Sequence, residues 1–212
     1  MRACSKKTIF SGGPLAPFKF TALGWACHRL DGGAARRFLN LGASATGLSE
    51  DGRTPAFIAG GSIWETFFNK SLEKKWESCL GELFAAGVDV NEEGLGVDGN
   101  PAMLLDYALG AIMVGEGTGQ LEWLMSQGAV ARAHRKPKDL AEMAMNAKSL
   151  DAVALLLATG LNVEGVDVAE RVARGEPAAM RIKEAQDVAM ERSILQEAIQ
   201  EQPRQQKKKQ CL

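Results

Sequence analysis

The sequence predicts an all-α fold in which short helix pairs stack in series and one long C-terminal helix closes the array. Apolar helical stretches stop repeatedly at a glycine, and these stops are Gly42, Gly87, Gly128 and Gly160. Glycine can take the left-handed conformation that follows a helix end without a Cβ penalty. Hydrophobic residues make up 46% of the chain but aromatic ones only 6%. Ala, Leu and Gly must therefore do most of the packing, which suits close-packed helices joined by tight turns.

A helix-opening segment precedes each glycine stop by about one helical hairpin. These segments are TALGWA at Thr21, TPAFIA at Thr54, MLLDYA at Met103, DLAEMA at Asp139 and DVAERVA at Asp167. Thr and Asp side chains can accept hydrogen bonds from the unpaired N–H groups of a first helical turn, and Pro55 suits the first helical position. Successive segments start 33, 49, 36 and 28 residues apart. Each unit is therefore predicted to be two short antiparallel helices and a projecting turn.

This pattern resembles the ankyrin repeat over about residues 20 to 175. The resemblance is carried by Thr54-Pro55 with Ala59, by Asp51-Gly52, and by the stretches RRFLNLGASAT, LFAAGVDVN and AVALLLATGLNV. It implies an ankyrin-repeat solenoid of four full repeats and a partial fifth. Family resemblance also implies a non-catalytic module that binds a protein partner through its concave face and hairpin tips.

Four regions are predicted along the chain. Residues 1–20 are basic, are broken by Gly and Pro, and form an arm or an N-terminal cap. The repeat domain covers 21–175, with repeats starting near 21, 54, 103, 139 and 167 and an insertion at 61–78. Residues 176–202 form a polar C-terminal helix that caps the last repeat. The helix is predicted to end at Pro203, which leaves 203–212 as a basic, disordered tail.

The insertion places aromatic residues at helical spacing. Trp64, Phe67 and Phe68 fall at i, i+3 and i+4, and Trp76 follows further along. One interpretation is a lengthened inner helix whose stripe packs on its neighbours. The other is an aromatic anchor for a partner, since Trp and Phe are common in interface hot spots. We take these four aromatic residues as candidate partner-binding residues.

Further candidate contacts follow from the family resemblance, at hairpin tips and on exposed parts of the inner helices. They are His28, Arg29, Glu50, Asp51, Arg53, Glu92, Glu93, Arg132, His134 and Arg135. Both histidines are expected to be surface residues. The tips alternate in charge, and such a pattern would orient a partner of complementary charge.

Composition and motifs argue against most other function classes. The formal net charge is −1, so charge alone favours no partner. The four cysteines lie far apart without a Cys-x-x-Cys pair, no secretory signal opens the chain, and no apolar run could span a bilayer. We expect reduced thiols in a cytoplasmic protein without metal or cofactor. The Gly-rich VGEGTG at 114–119 lacks the Gly-Lys-Ser/Thr ending of a phosphate-binding loop and is interpreted as a flexible connection.

The sequence predicts a monomer that binds another protein, with three candidate roles. These are a bacterial effector translocated into a host cell, an immunity-like inhibitor of a toxin, and a subunit adaptor. An alternative is a nucleic-acid-associated accessory protein that uses the basic termini, for which binding would depend steeply on salt. A catalytic alternative would rest on Cys27 and His28, for which the sequence offers no supporting motif.

Overall fold

The computed structural model describes residues 10–11, 19–62, 70–113, 117–134 and 136–210, and this part of the chain is mostly helical. This confirms the all-α class. The helices are α1 (Ala22–His28), α2 (Gly32–Asn40), α3 (Pro55–Gly61), α4 (Lys70–Ala85), α5 (Leu104–Met113), α6 (Gly119–Ser126), α7 (Pro137–Asn146), α8 (Leu150–Ala158), α9 (Ala169–Ala173) and α10 (Pro177–Gln210). Two short antiparallel strand pairs accompany them, β1 (Phe10–Ser11) with β2 (Lys19–Phe20) and β3 (Gly94–Leu95) with β4 (Pro101–Ala102).

The helices pack as successive pairs arranged in two layers. In one layer α1 contacts α3, α3 contacts α5, and α5 contacts α7. In the other layer α2 contacts α4 and α4 contacts α6, while α10 packs on α7 and α8. The core runs between the layers and consists mainly of Leu, Ala and Val. Most helices thus bury one side against their own partner and another against the next pair.

Each glycine stop lies at the end of the second helix of a pair. Gly42, Gly87, Gly128 and Gly160 all have positive φ, between 85° and 97°. The amide after each of these glycines donates back to a carbonyl five residues earlier; Ala43, for example, donates to Phe38 over 2.9 Å. These bonds satisfy carbonyls that a helix end leaves unpaired. The left-handed turn then reverses the chain into the following hairpin.

The helix starts use side-chain caps less uniformly than expected. Thr21 accepts from the Gly24 amide over 3.0 Å, as the sequence suggested. Thr54 does not cap α3, and its hydroxyl is buried without a hydrogen-bond partner. At α5 the Asp106 carboxylate accepts from the Met103 amide over 2.7 Å. Helix α7 begins at Pro137, so Asp139 lies inside its first turn and is not its cap.

Two predicted boundaries differ from the structure. Residues 70–78 of the predicted insertion belong to α4, the second helix of its pair, and α3 ends at Gly61. Helix α10 continues through Pro203 to Gln210, where the sequence predicted an end. A proline removes one hydrogen bond and crowds the preceding turn, which disfavours a helix interior without forbidding it. The Gln, Arg and Lys residues around Pro203 are strong helix formers, which favours continuation.

The β3–β4 hairpin in the connection between α4 and α5 was not predicted. Its turn contains Gly99 with a φ of 78°, and the Asp98 carboxylate accepts from the Asn100 amide over 3.0 Å. An Asp-Gly turn of this kind can join two strands. Among the described residues, every helix is either too short or too polar to cross a membrane.

Candidate partner-binding surface

The connections that follow α2, α4, α6 and α8 lie next to one another, and we call them the hairpin edge. They cover residues 41–54, 86–103, 127–136 and 159–168, of which 135 lies outside the described residues. The first two connections meet where the Leu95 side chain lies against Gly52. The remaining connections are joined by hydrogen bonds, so the edge is one continuous surface.

Asn91 joins the second connection to the third. Its side-chain amide donates to the Gly128 carbonyl over 3.0 Å, and its side-chain oxygen accepts from the Val130 amide over 2.9 Å. The Asn91 backbone amide is itself held by the Asp89 carboxylate over 2.8 Å. The Asn91 side chain therefore satisfies both a donor and an acceptor of the third connection. These two hydrogen bonds fix the distance between the second and third connections.

Thr159 joins the third connection to the fourth. Its hydroxyl accepts from the Ala131 amide over 3.3 Å, and its carbonyl accepts from the Arg132 amide over 3.4 Å. In the fourth connection, Asn162 accepts from the Glu164 amide over 2.9 Å, the same local turn that Asp89 makes. Asp89 and Asn162 each lie two positions after a glycine stop.

The first connection is closed by its own charged residues. Arg53 donates to the Asp51 carboxylate over 2.7 Å, and Asp51 also accepts from the Ser49 hydroxyl. Burial alone would raise the pKa of Asp51, but these hydrogen bonds outweigh it and lower the pKa below its ordinary value. The Arg53 guanidinium also lies 6.0 Å from the centre of the Phe20 ring. Two of the predicted contact residues therefore stabilise the hairpin itself.

His134 is mostly buried, whereas the sequence led us to expect a surface residue. Its side chain is 8% exposed, and its Nε2 lies 2.9 Å from an Asp106 carboxylate oxygen. Its Nδ1 accepts from the Lys136 amide over 3.1 Å, so the neutral ring carries its proton on Nε2 and donates to Asp106. The pair connects the third connection to α5. The expectation was wrong because Asp106 lies far from His134 in sequence and only the fold brings the two together.

We predict a pH-dependent contribution of His134 to stability. Burial lowers the pKa of His134, but the Asp106 carboxylate outweighs this and the pKa is raised above its ordinary value. A raised pKa in the folded state stabilises the fold below the unfolded-state pKa, and the gain is lost as pH rises through the folded-state pKa. The free energy of unfolding of the wild type, measured by urea denaturation, should therefore exceed that of the His134→Gln variant by about 1–3 kcal/mol at pH 5.5. At pH 9 the difference between the two proteins should be smaller.

Asp106→Asn is the control for this pH effect. It removes the carboxylate but leaves an oxygen that can still accept from the Met103 amide. When His134→Gln is made in the Asp106→Asn protein, the free energy of unfolding that it costs should no longer decrease between pH 5.5 and pH 9. An unchanged pH dependence would assign the effect to another group.

His28 and Arg29 lie at the end of α1 and differ in exposure. His28 is half-buried among aromatic rings, with its ring centre 5.2 Å from that of Phe20 and 5.6 Å from that of Trp25. Arg29 is exposed. On the hairpin edge, Glu50 and Arg132 are exposed, and Glu92 and Glu93 are half-buried. Arg135 lies outside the described residues.

Trp76 is a core residue, and its assignment to a partner-binding surface was wrong. Its side chain is 0% exposed, and its ring meets Trp123 of α6 edge to face with centres 5.3 Å apart. Phe84 also stacks on Trp123, with ring centres 5.9 Å apart. Helix α4 presents this side to α6, so the ring is covered by its own chain. The other three predicted aromatic contacts, Trp64, Phe67 and Phe68, lie outside the described residues.

The buried thiols Cys27 and Cys79 form a neighbouring pair between α1 and α4. Both are free and 0% exposed. Interaction with the Cys79 thiol and burial both raise the pKa of Cys27. A nucleophilic cysteine needs the opposite, a lowered pKa and access to substrate. Within the described ranges, no group of three or more His, Cys, Asp or Glu side chains is placed to hold a metal ion.

Sequence reasoning missed Asn91, Thr159 and Asp106, the residues that hold the hairpin edge together. The only available signal was the position of Asn91 at the end of LFAAGVDVN, where a small polar residue follows a turn. No protein-family model and no curated protein matches this chain.

Proposed function

We propose that this chain is an ankyrin-type repeat solenoid that binds another protein through its hairpin edge. The observation that carries the proposal is the series of hydrogen bonds made by Asn91 and Thr159 between neighbouring connections. A surface that is already ordered in the free protein loses little conformational freedom on binding. The succession of helix pairs, each ending at a left-handed glycine, supports the assignment to the ankyrin type.

A non-catalytic role fits the environment of the one cysteine–histidine candidate. Cys27 is fully buried and its pKa is raised, so its thiol stays protonated and has no access to a substrate. His28 packs against aromatic rings beside it. The surface of a repeat array is extended and suits a macromolecular partner better than an enclosed small substrate.

The charge of the hairpin edge changes along its length. Glu92, Glu93 and Asp98 make the second connection acidic, while the third carries the exposed basic residues Arg132 and Lys136. We infer a partner with a basic patch followed by an acidic one. Complementary charge of this kind mainly sets orientation and the rate of association.

The experiment is affinity capture from extracts of the native cell, with the full chain as bait. The test variant is Arg132→Glu with Lys136→Glu, both on the hairpin edge. The control variant is Lys74→Glu with Lys75→Glu, which changes the same charge at exposed positions of α4. We expect one protein to be retained by the wild type and the control, and its capture to fall at least about tenfold in the test variant.

Each variant should first be shown to unfold at the urea midpoint of the wild type. Equal capture by all three baits, or equal loss in both variants, would reject the hairpin edge as the binding surface. Recovery of nucleic acid alone, decreasing steeply with salt, would instead support the accessory role of the basic termini.

A further inference from the structure

Two thiols meet where the turn between α1 and α2 packs on α4. Cys27 lies near the end of α1, and Cys79 lies in α4, 52 positions further along the chain. Both residues are buried in the same core cluster, and their side chains are in hydrogen-bonding contact. The contact therefore joins two helices that are distant in sequence.

Backbone contacts hold the two cysteines on either side of this turn. The Leu30 amide donates back to the Cys27 carbonyl over 3.0 Å, which closes the turn directly after α1. Two residues further on, Gly32 lies so close to α4 that an added Cβ would be 3.3 Å from the Cys79 amide nitrogen. The turn therefore packs beside both members of the pair and fixes the distance between them.

The same turn contains a strained residue. Leu30 has a φ of 52°, in the left-handed region that a residue with a Cβ disfavours. Its side chain is 4% exposed, so burial holds the turn in this conformation. Opening a single turn costs less free energy than unfolding the whole protein. A small oxidant can therefore reach the thiols from a locally opened state, although the closed state hides both.

The contact gives the two sulfurs different roles. Interaction with Cys79 and burial raise the pKa of Cys27, so Cys27 keeps its proton and can donate it to the Cys79 sulfur. That hydrogen bond stabilises negative charge on the Cys79 sulfur. Since a thiolate, not a thiol, attacks an oxidant, Cys79 is the attacking residue. Cys27 is then in place to attack the product.

We propose that a peroxide converts Cys27 and Cys79 into a disulfide that joins α1 to α4. The Cys79 thiolate attacks one peroxide oxygen, the O–O bond breaks, hydroxide leaves, and Cys79 becomes a sulfenic acid. The Cys27 sulfur then displaces hydroxide from the Cys79 sulfur. The protons of the two thiols convert both hydroxide ions to water. Both sulfurs are oxidised, and their two electrons reduce one peroxide to two waters.

The new bond would stabilise the start of the array. It closes a loop that contains α2 and α3, and closing a long loop restricts the unfolded chain more than the folded one. The oxidised protein should therefore resist unfolding better than the reduced protein. This redox response goes beyond the proposed function and does not depend on it.

The test is hydrogen peroxide treatment of the folded full chain carrying Cys4→Ser and Cys211→Ser. Cys27 and Cys79 are then the only cysteines in the sequence. Mass spectrometry should show the loss of two hydrogen atoms per chain, and digestion without reductant should give a peptide that links Cys27 to Cys79. A reducing thiol should restore the original mass. The oxidised form should unfold at a higher urea concentration than the reduced form.

Met190 provides an internal measure of oxidant dose, because its side chain is 66% exposed and peroxide converts methionine to the sulfoxide. Conversion of Met190 while both cysteines stay reduced would overturn the proposal, as would a sulfinic acid at Cys79 without a linked peptide. Cys79→Ala is the matched variant and should show no increase in the urea midpoint after the same treatment. An equal increase in that variant would assign the stabilisation to another oxidation.

The linked peptide is measured in the protein that keeps both cysteines, so the test does not depend on whether Cys79→Ala folds. If the peptide forms only after the chain has been unfolded in urea, the folded pair does not react and the proposal is wrong.

Discussion

Replacement of Trp76 by alanine is expected to lower the free energy of unfolding by about 3–5 kcal/mol. The indole is fully buried between α4 and α6 and meets Trp123 edge to face. Its removal would leave a cavity where successive helix pairs pack, which the surrounding helices can close only in part. Urea denaturation followed by far-ultraviolet circular dichroism would measure the loss.

Trp76→Phe is the control for this prediction. The indole N–H of Trp76 is buried and has no hydrogen-bond partner among the described residues, so phenylalanine removes an unsatisfied donor while it keeps most of the apolar volume. Trp76→Phe should lower the free energy of unfolding clearly less than Trp76→Ala does. If Trp76→Ala kept the stability of the wild type but abolished partner capture, the surface role expected from sequence would be restored.

Gly94→Ala is expected to destabilise the protein by about 1–3 kcal/mol through overpacking. Gly94 of β3 lies so close to the Phe57 ring that an added Cβ would meet three ring atoms at 2.4 to 2.8 Å. Phe57 is 1% exposed in α3 and cannot move aside without disturbing its neighbours. The free energy of unfolding of the purified variant, measured by urea titration, checks the prediction.

Gly81→Ala is the matched substitution and should act in the opposite direction. Gly81 lies inside α4, and a Cβ added there would have no atom within 4 Å. Alanine restricts the unfolded chain and favours the helix by about 0.5–1 kcal/mol over glycine. If Gly94→Ala proved as stable as the wild type, Phe57 would have an alternative position that the packing does not suggest.

The parts of the fold that depend on neighbours in sequence were predictable. A glycine after an apolar helical stretch indicates a left-handed helix end, and all four predicted stops have that conformation. Likewise Thr21 caps α1 as expected. In both cases the physical cause, a backbone conformation or a bond to the next turn, acts over a few residues and is visible in the sequence.

The contacts that assemble the candidate site were not predictable in the same way. Trp76 and Trp123 lie in the second helices of successive pairs, with α5 between them in the sequence, and their contact makes Trp76 a core residue. Asn91 bonds to residues 37 and 39 positions away, and His134 pairs with a carboxylate 28 positions away. The aromatic ring of Trp76 and the titratable ring of His134 suggested a surface, and it was their partners that decided otherwise.

The sequence alone therefore determined that the chain forms short helices ended by glycines, because helix propensity, apolar periodicity and turn conformation are local properties. It also indicated where the connections between helix pairs lie. Only the tertiary structure decided which polar residues face each other across those connections, which aromatic ring is buried, and how far α10 extends from the array. These outcomes depend on the packing of helices distant in sequence, since each helix pair completes its buried side only against the next.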